Sequence, residues 1–546
     1  MKLSTILSKE QSVAAPGFNR WLIPPAALAI HLSIGMAYGF SVFWLPLSKS
    51  IGIEAPLSCA PSRDLFSSLF LRSCDWPISM LTWTYTLFFV FLGSSAALFG
   101  PWLERNGPRK AGLLAALCWS GGLLIAALGV YLHQIVLLWL GAGVIGGIGL
   151  GLGYISPVST LIKWFPDKRG MATGMAIMGF GGGALVGAPL ADRLMRFFSS
   201  PLSVGVWQTF LALAGIYLIM MTAGALMYRV PPAGWKPSGW KPKTEGRSAR
   251  MITSRNVHVN VAWKTPQFWL LWAVLCLNVT AGIGVLGMAS PMLQEIFGGR
   301  LIGNSLPFSQ LSSAQKSQIA AIAAGFTGLL SLFNIGGRFA WSSLSDRIGR
   351  KLTYLIFFAL GLVLYAAVPS IGRAGNLQLF VLAFCVIVSM YGGGFAAIPA
   401  YIADLFGPQM VSAIHGRLLT AWSTAGVLGP LLINTIRETQ LARGVPGANA
   451  YDVSMVILAG LLAIGFLCNL MIRPVSEKYY IADAGQRPGH SPAASIKDSV
   501  IADPGEQRSS LARKSAAPLA AAWAFVGLPL LYGLWTTIQK AALLFK

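Results

Sequence analysis

The chain has 546 residues, 55% of them hydrophobic and only 11% charged. Globular proteins carry about 25% charged residues, so a soluble enzyme, a disordered chain and a collagen-like fibre are all excluded, and an all-α polytopic membrane protein is expected. The formal charge of +23, from 41 Lys and Arg against 18 Asp and Glu, is spread over short loops between apolar runs, which argues against nucleic acid as a partner.

In chain order, residues 1–20 hold Lys2, Lys9, Glu10 and Arg20 but no apolar core, so no cleavable leader is expected ahead of the first span. Apolar windows long enough to cross roughly 30 Å of hydrocarbon then predict twelve helices, over 21–45, 79–102, 111–132, 134–160, 170–191, 205–228, 267–290, 318–342, 352–371, 378–402, 412–435 and 452–472. They group as an N-terminal six-helix bundle, 21–228, a basic linker, 229–266, and a C-terminal six-helix bundle, 267–473. The linker carries Arg229, Lys236, Lys241, Lys243, Arg247, Arg250, Arg255 and Lys264 with Glu245 as its sole acid. With the N-terminus cytoplasmic, Arg105, Arg109 and Lys110, then Lys163, Lys168 and Arg169, then the linker, then Arg347, Arg350 and Lys351 all fall inside, as the positive-inside rule requires.

Shifting the sequence by 242 positions pairs Trp21 with Trp263, Pro24 with Pro266, Glu104 with Asp346, Arg105 with Arg347, Gly107 with Gly349, Pro157 with Pro399 and Gly187 with Gly429. A constant offset through an acidic-basic-x-Gly loop implies two bundles related by pseudo-two-fold symmetry. Beyond Arg473 a polar tail, 474–515, precedes another apolar run. Residues 516–538 can span as a thirteenth helix, with Arg513 and Lys514 holding its start inside; the competing reading is an interfacial hairpin broken at Pro529.

The loop after the second helix runs from Gly100 through Glu104, Arg105, Gly107, Arg109 and Lys110. Its counterpart runs from Ser342 through Asp346, Arg347, Gly349, Arg350 and Lys351. Glycine permits a tight turn, and an acid beside an arginine at a helix end can latch onto neighbouring helix dipoles and charges, so the pair reads as two gating latches. Ser342 in place of a first glycine predicts looser packing in the second copy. The glycine-dense fourth and fifth helices suit close backbone approach between membrane helices, and their G-x-G patterns lack the strand context of a nucleotide site.

Ionisable residues inside the spans are expensive in lipid and point to function. Arg338 lies eight residues before Asp346, about 12 Å into its helix, with Asn334 one turn earlier on the same face and no Asp or Glu deep in any of the twelve windows to pair with it. A guanidinium can grip a carboxylate through two parallel hydrogen bonds, so an anionic substrate is its expected partner. His31, Gly35 and Tyr38 form one stripe of the first helix; His31 fits either a proton carrier or a neutral ring bonded to a carbonyl. Tyr154, Tyr391 and Phe395 occupy comparable depths and can line an aromatic cavity.

Cys118, Cys276, Cys385 and Cys468 lie in apolar spans, whereas Cys59 and Cys74 share the first outer loop and are candidates for a disulfide. Five histidines without a ligand spacing leave no metal site, and neither a cofactor nor a nucleophile is expected.

Together, the two signature loops resemble those of the major facilitator superfamily. Asn19-Arg20-Trp21, Gly35-Met-Ala-Tyr38, Gly153-Tyr154, Lys163-Trp-Phe-Pro166 with Gly170, and Asn334-Ile-Gly-Gly-Arg338 resemble its oxalate/formate antiporter family and the related monocarboxylate porters, over most of 19–473. The resemblance implies two rocking bundles and a carboxylate bound by Arg338 within a cage of Tyr38, Tyr154 and Tyr391. Oxalate exchangers of the family add a helix-eleven lysine; here Trp422 stands near that place, and one positive charge suits a monoanion. The expectation is a monomeric secondary transporter of a bacterial inner membrane. It moves a formate-, lactate- or pyruvate-sized anion by antiport or proton symport, with oxalate/formate exchange proper, or an anion-binding sensor, as alternatives.

Overall fold

The computed structural model describes residues 8–53, 57, 69–70, 72–240, 251–481 and 505–542. Among the described residues, thirteen helices are long and apolar enough to cross a membrane. They are α1 (Arg20–Leu47), α2 (Ile78–Asn106), α3 (Pro108–Tyr131), α4 (Ile135–Trp164), α5 (Arg169–Phe198), α6 (Val206–Met227), α7 (Pro266–Ile302), α8 (Ser313–Ile348), α9 (Arg350–Arg373), α10 (Leu377–Phe406), α11 (Val411–Ala442), α12 (Gly447–Met471) and α13 (Ala517–Gln539).

The internal repeat is visible in the backbone. Helices α3 and α9 coincide at both ends under the 242-residue offset, and so do α4 and α10. The turns that precede α3 and α9 are also equivalent: Gly107 has φ +88° and Gly349 φ +89°, a region that side chains with a Cβ rarely enter. Two six-helix bundles therefore face each other. Helix α5 packs on α8 along one seam and α2 on α11 along the other.

Three spans are locally irregular. Pro24 and Pro25 sit in the first turn of α1, where a missing N–H costs nothing, but Gly35–Phe43 tightens into a 3-10 helix. Gly35 faces the Phe180 carbonyl and the Gly183 Cα of α5, leaving no room for a Cβ. The stripe expected from α-helical spacing is thus redrawn: in a 3-10 helix Tyr38 follows Gly35 on the same side. Trp139–Ile145 of α4 forms a π-helix, and α11 is interrupted at Leu419, between Val411–Leu418 and Thr420–Ala442.

Helix α13 belongs to a continuous helix, Gly505–Ala541, that passes through Pro518 and Pro529, so the chain does not fold back at Pro529 as a hairpin. It packs on α1, α5 and α8. Val526 is buried against Leu28, Ala29 and Leu32, Gly533 touches the Leu185 carbonyl, and Thr537 faces Gly328. Outside the bundles, Asp75 accepts the backbone N–H groups of Ile51 at 2.7 Å, Gly52 at 2.9 Å and Leu57 at 2.8 Å, folding the first long loop onto itself. Cys74 is disulfide-bonded; Cys59 lies outside the described residues.

Candidate functional site

Where the bundles meet at mid-depth, a cage of rings surrounds one cation. Arg338 of α8 is wholly buried. Its Nε donates to Asn334 Oδ1 at 3.0 Å and its Nη1 to the Ile177 carbonyl at 3.2 Å, while Nη2 has no hydrogen-bond partner. The guanidinium lies 5.7 Å from the Phe180 ring and 5.5 Å from Phe395, close enough for cation–π attraction. Among the described residues it makes no ion pair.

Tyr154 is the hub of the cage. Its ring stacks on His31 at 5.2 Å and meets Phe180 at 5.5 Å, Phe395 at 5.6 Å, His415 at 5.8 Å and Trp422 at 5.3 Å. Trp422 in turn contacts Phe395 at 4.6 Å and Tyr38 at 6.5 Å, and the Tyr38 and Tyr391 hydroxyls are 3.0 Å apart. Arg338, Asn334, His31, Tyr38, Tyr154, Tyr391 and Trp422, seven positions on five helices, therefore lie in one connected cluster. The His31 ring is held between two carbonyl oxygens, Ala176 at 2.7 Å and Tyr154 at 3.2 Å.

The cage is richer in donors than in acceptors. Among the described residues, Arg338 Nη2, the Tyr154 hydroxyl, Trp422 Nε1 and both ring nitrogens of His415 are buried without a partner. Buried polar groups are normally bonded, so several converging unpartnered ones mark where something else binds. His415, on the first segment of α11, escaped the sequence reading because it lies three residues into the eleventh expected window, where a polar residue reads as a solvated boundary.

The signature loops occupy the face that also carries the linker. There Asp346 caps α5 across the bundle interface, accepting from Gly170 N–H and Met171 N–H, both at 2.8 Å, as a carboxylate should at a helix N-terminus. Arg350 pairs with Asp346 and Asp404, and Arg169 of α5 reaches Asp404 at 2.9 Å. In the other copy Glu104 binds Lys163 at 2.8 Å and accepts from Ser412 N–H at 3.1 Å. Arg109 is turned inward onto the Tyr228 and Gln11 carbonyls. Arg105 bonds its own helix through the Pro101 carbonyl at 3.4 Å, and Arg347 lies on the last turn of α8. Asp404 was missed because the tenth window ended at 402, whereas α10 runs to Phe406.

Both copies pack closely at their first position. Gly100 lies against the Ala413 backbone of α11, and Ser342 against Gly174 of α5. The serine in place of glycine is thus accommodated by a glycine opposite and by its own bond to the Arg338 carbonyl, which corrects the expectation of looser packing. Two clefts flank the cage, one inside each bundle. The first is lined by Phe40, Trp119 and Leu123; the second by Gly282, Gly361 and Tyr365, the same positions shifted by 242.

Paired bundles around a buried cation, with interlocked loops on one face, define the class of a membrane transporter rather than an enzyme. The chain belongs to the Major Facilitator Superfamily, whose family model matches residues 26–430 and 301–541. It is 25% identical to the oxalate:formate antiporter of Oxalobacter formigenes over 416 residues, 75% of this chain and 83% of that one. It is 26% identical to apicoplast pyruvate carrier 1 of Toxoplasma gondii over 412 residues, 66% and 70% of the two chains. The fold is shared with the Escherichia coli fucose:proton symporter, with TM-score 0.53, 13% identity and coverage of 83% of this chain and 99% of the symporter.

Proposed function

We propose that this transporter moves small monocarboxylates, of the size of formate, pyruvate or lactate, by exchange or together with a proton. The carrying observation is Arg338, a wholly buried guanidinium bonded only to neutral oxygens, with one amino group unpartnered. Such a group keeps its charge and is costly in a membrane without a counter-charge. A substrate carboxylate supplies that charge, accepting from Nη2, the Tyr154 hydroxyl and Trp422 Nε1. One cation satisfies one carboxylate; the second of a dicarboxylate would stay desolvated. The relatives named for oxalate, formate and pyruvate carry organic acids, which supports the reading.

By the positive-inside rule the basic linker supports a cytoplasmic position for its face, and on this reading the protein resides, as a functional monomer, in the inner membrane of a bacterial cell. The latches hold that face shut, and their release lets the bundles rock and expose the cage inward. The test is counterflow of labelled formate, pyruvate, lactate and oxalate in proteoliposomes, with and without a pH gradient. Monocarboxylates exchange, and Arg338→Gln lowers the flux about 100-fold, as expected when a charge-assisted hydrogen bond is lost. Unchanged flux in that variant, or tighter handling of oxalate than of any monocarboxylate, overturns the reading.

A further inference from the structure

His415 is the most conspicuous unused group in the cage. It is fully buried, and neither ring nitrogen has a hydrogen-bond partner. Its ring lies 5.8 Å from Tyr154, whose own hydroxyl is unpartnered, and it stands seven residues before Trp422, across the break in α11 at Leu419. A histidine placed only to fill space would be expected to donate to a carbonyl, as His31, with a carbonyl oxygen beside each ring nitrogen, can in the same cluster. One whose nitrogens are both left open is placed for a partner that comes and goes.

We propose that His415 is a specificity-determining residue that bonds the oxygen on the carbon next to the substrate carboxylate. The inference rests on the monocarboxylate reading above, in which Arg338 holds the carboxylate. An imidazole can present an N–H and a lone pair at once, so it serves an oxo group, which only accepts, and a hydroxyl, which does either. A fixed second cation would instead favour a second carboxylate. The carrier therefore discriminates for 2-oxo and 2-hydroxy monocarboxylates against formate and acetate, which offer His415 nothing.

The experiment measures exchange of labelled formate, acetate, pyruvate and lactate by the wild type, His415→Phe and His415→Asn in proteoliposomes. Loss of one buried hydrogen bond is worth about 10- to 100-fold; His415→Phe should lower the pyruvate-to-acetate ratio of kcat/KM by that factor. His415→Asn, which keeps a donor and an acceptor, restores most of the ratio. An unaltered ratio in His415→Phe, or an equal fall for all four acids that His415→Asn shares, overturns the proposal while leaving Arg338 as the anion site. If the wild type moves none of the four, the monocarboxylate reading itself fails, and this inference with it.

Discussion

Single residues show which functional groups can be read from a sequence. Arg338 was legible because a guanidinium in an apolar run has no cheap explanation, and its neighbour Asn334 followed from helical spacing. His415 and Asp404 were not, because each lies near a helix end, where a polar residue reads as a solvated boundary. Only the packing of Tyr154 and the two arginines onto them reveals their depth. His133, in the loop between α3 and α4, gives a prediction at this scale. Its ring stacks on Trp76 at 4.1 Å and bonds the Cys74 carbonyl at 2.8 Å. Burial holds its pKa below the ordinary histidine value, against the opposing pull of that carbonyl and of Asp75. A ring released from this site takes up a proton more readily than a docked one, so docking weakens as pH falls through and below about 6.5. Protease cleavage of the 48–77 loop in reconstituted protein should quicken between pH 7.5 and pH 5, and His133→Gln should flatten that dependence; cleavage indifferent to pH in the wild type counts against the assignment.

At the level of helices, close packing decides what can slide. Gly174 of α5 faces Ser342 Oγ and the Arg338 carbonyl of α8 so closely that a Cβ would collide with both. Overpacking of this kind costs about 1–3 kcal/mol, and here the cost falls on the latched state alone if the seam parts during transport. Gly174→Ala should therefore bias the carrier away from closure at the linker face, read as faster labelling of a cysteine placed at Ser156 by an impermeant thiol reagent added from that face. Asp346→Asn should act in the same direction, since it weakens the cap on Gly170 and Met171 and the pairing with Arg350. Labelling as slow as in the parent protein would show that the latch does not control access. The fourth and fifth helices were foreseeable from their glycines, but the 3-10 stretch of α1 was not: it is imposed by the α5 backbone against Gly35, a contact between distant parts of the chain.

For the whole molecule, periodicity carried most of the information. Twelve spans, their order and the offset relating the halves follow from apolar run lengths and one repeated loop, since lipid allows few ways to satisfy a backbone. The thirteenth helix was ambiguous for the same reason, since run length does not tell a span from a surface hairpin. Its contacts with α1, α5 and α8 settle the path of the chain but involve few side chains. Truncation after residue 515 is expected to leave a folded carrier that still exchanges anions, with an unfolding midpoint lower by a few degrees in detergent thermal-shift measurements. Complete loss of folded protein on truncation would make α13 part of the core instead.

The position of α13 also makes the molecule lopsided. It lies over the α5–α8 seam and touches both bundles, while the opposite seam, α2 against α11, has no such cover among the described residues. Lipid tails and amphiphiles can approach the interior sideways from one flank only. A detergent or inhibitor that wedges between the bundles should therefore leave its photo-crosslinks on α2 and α11, with α5 and α8 shielded until the extra helix is cut away.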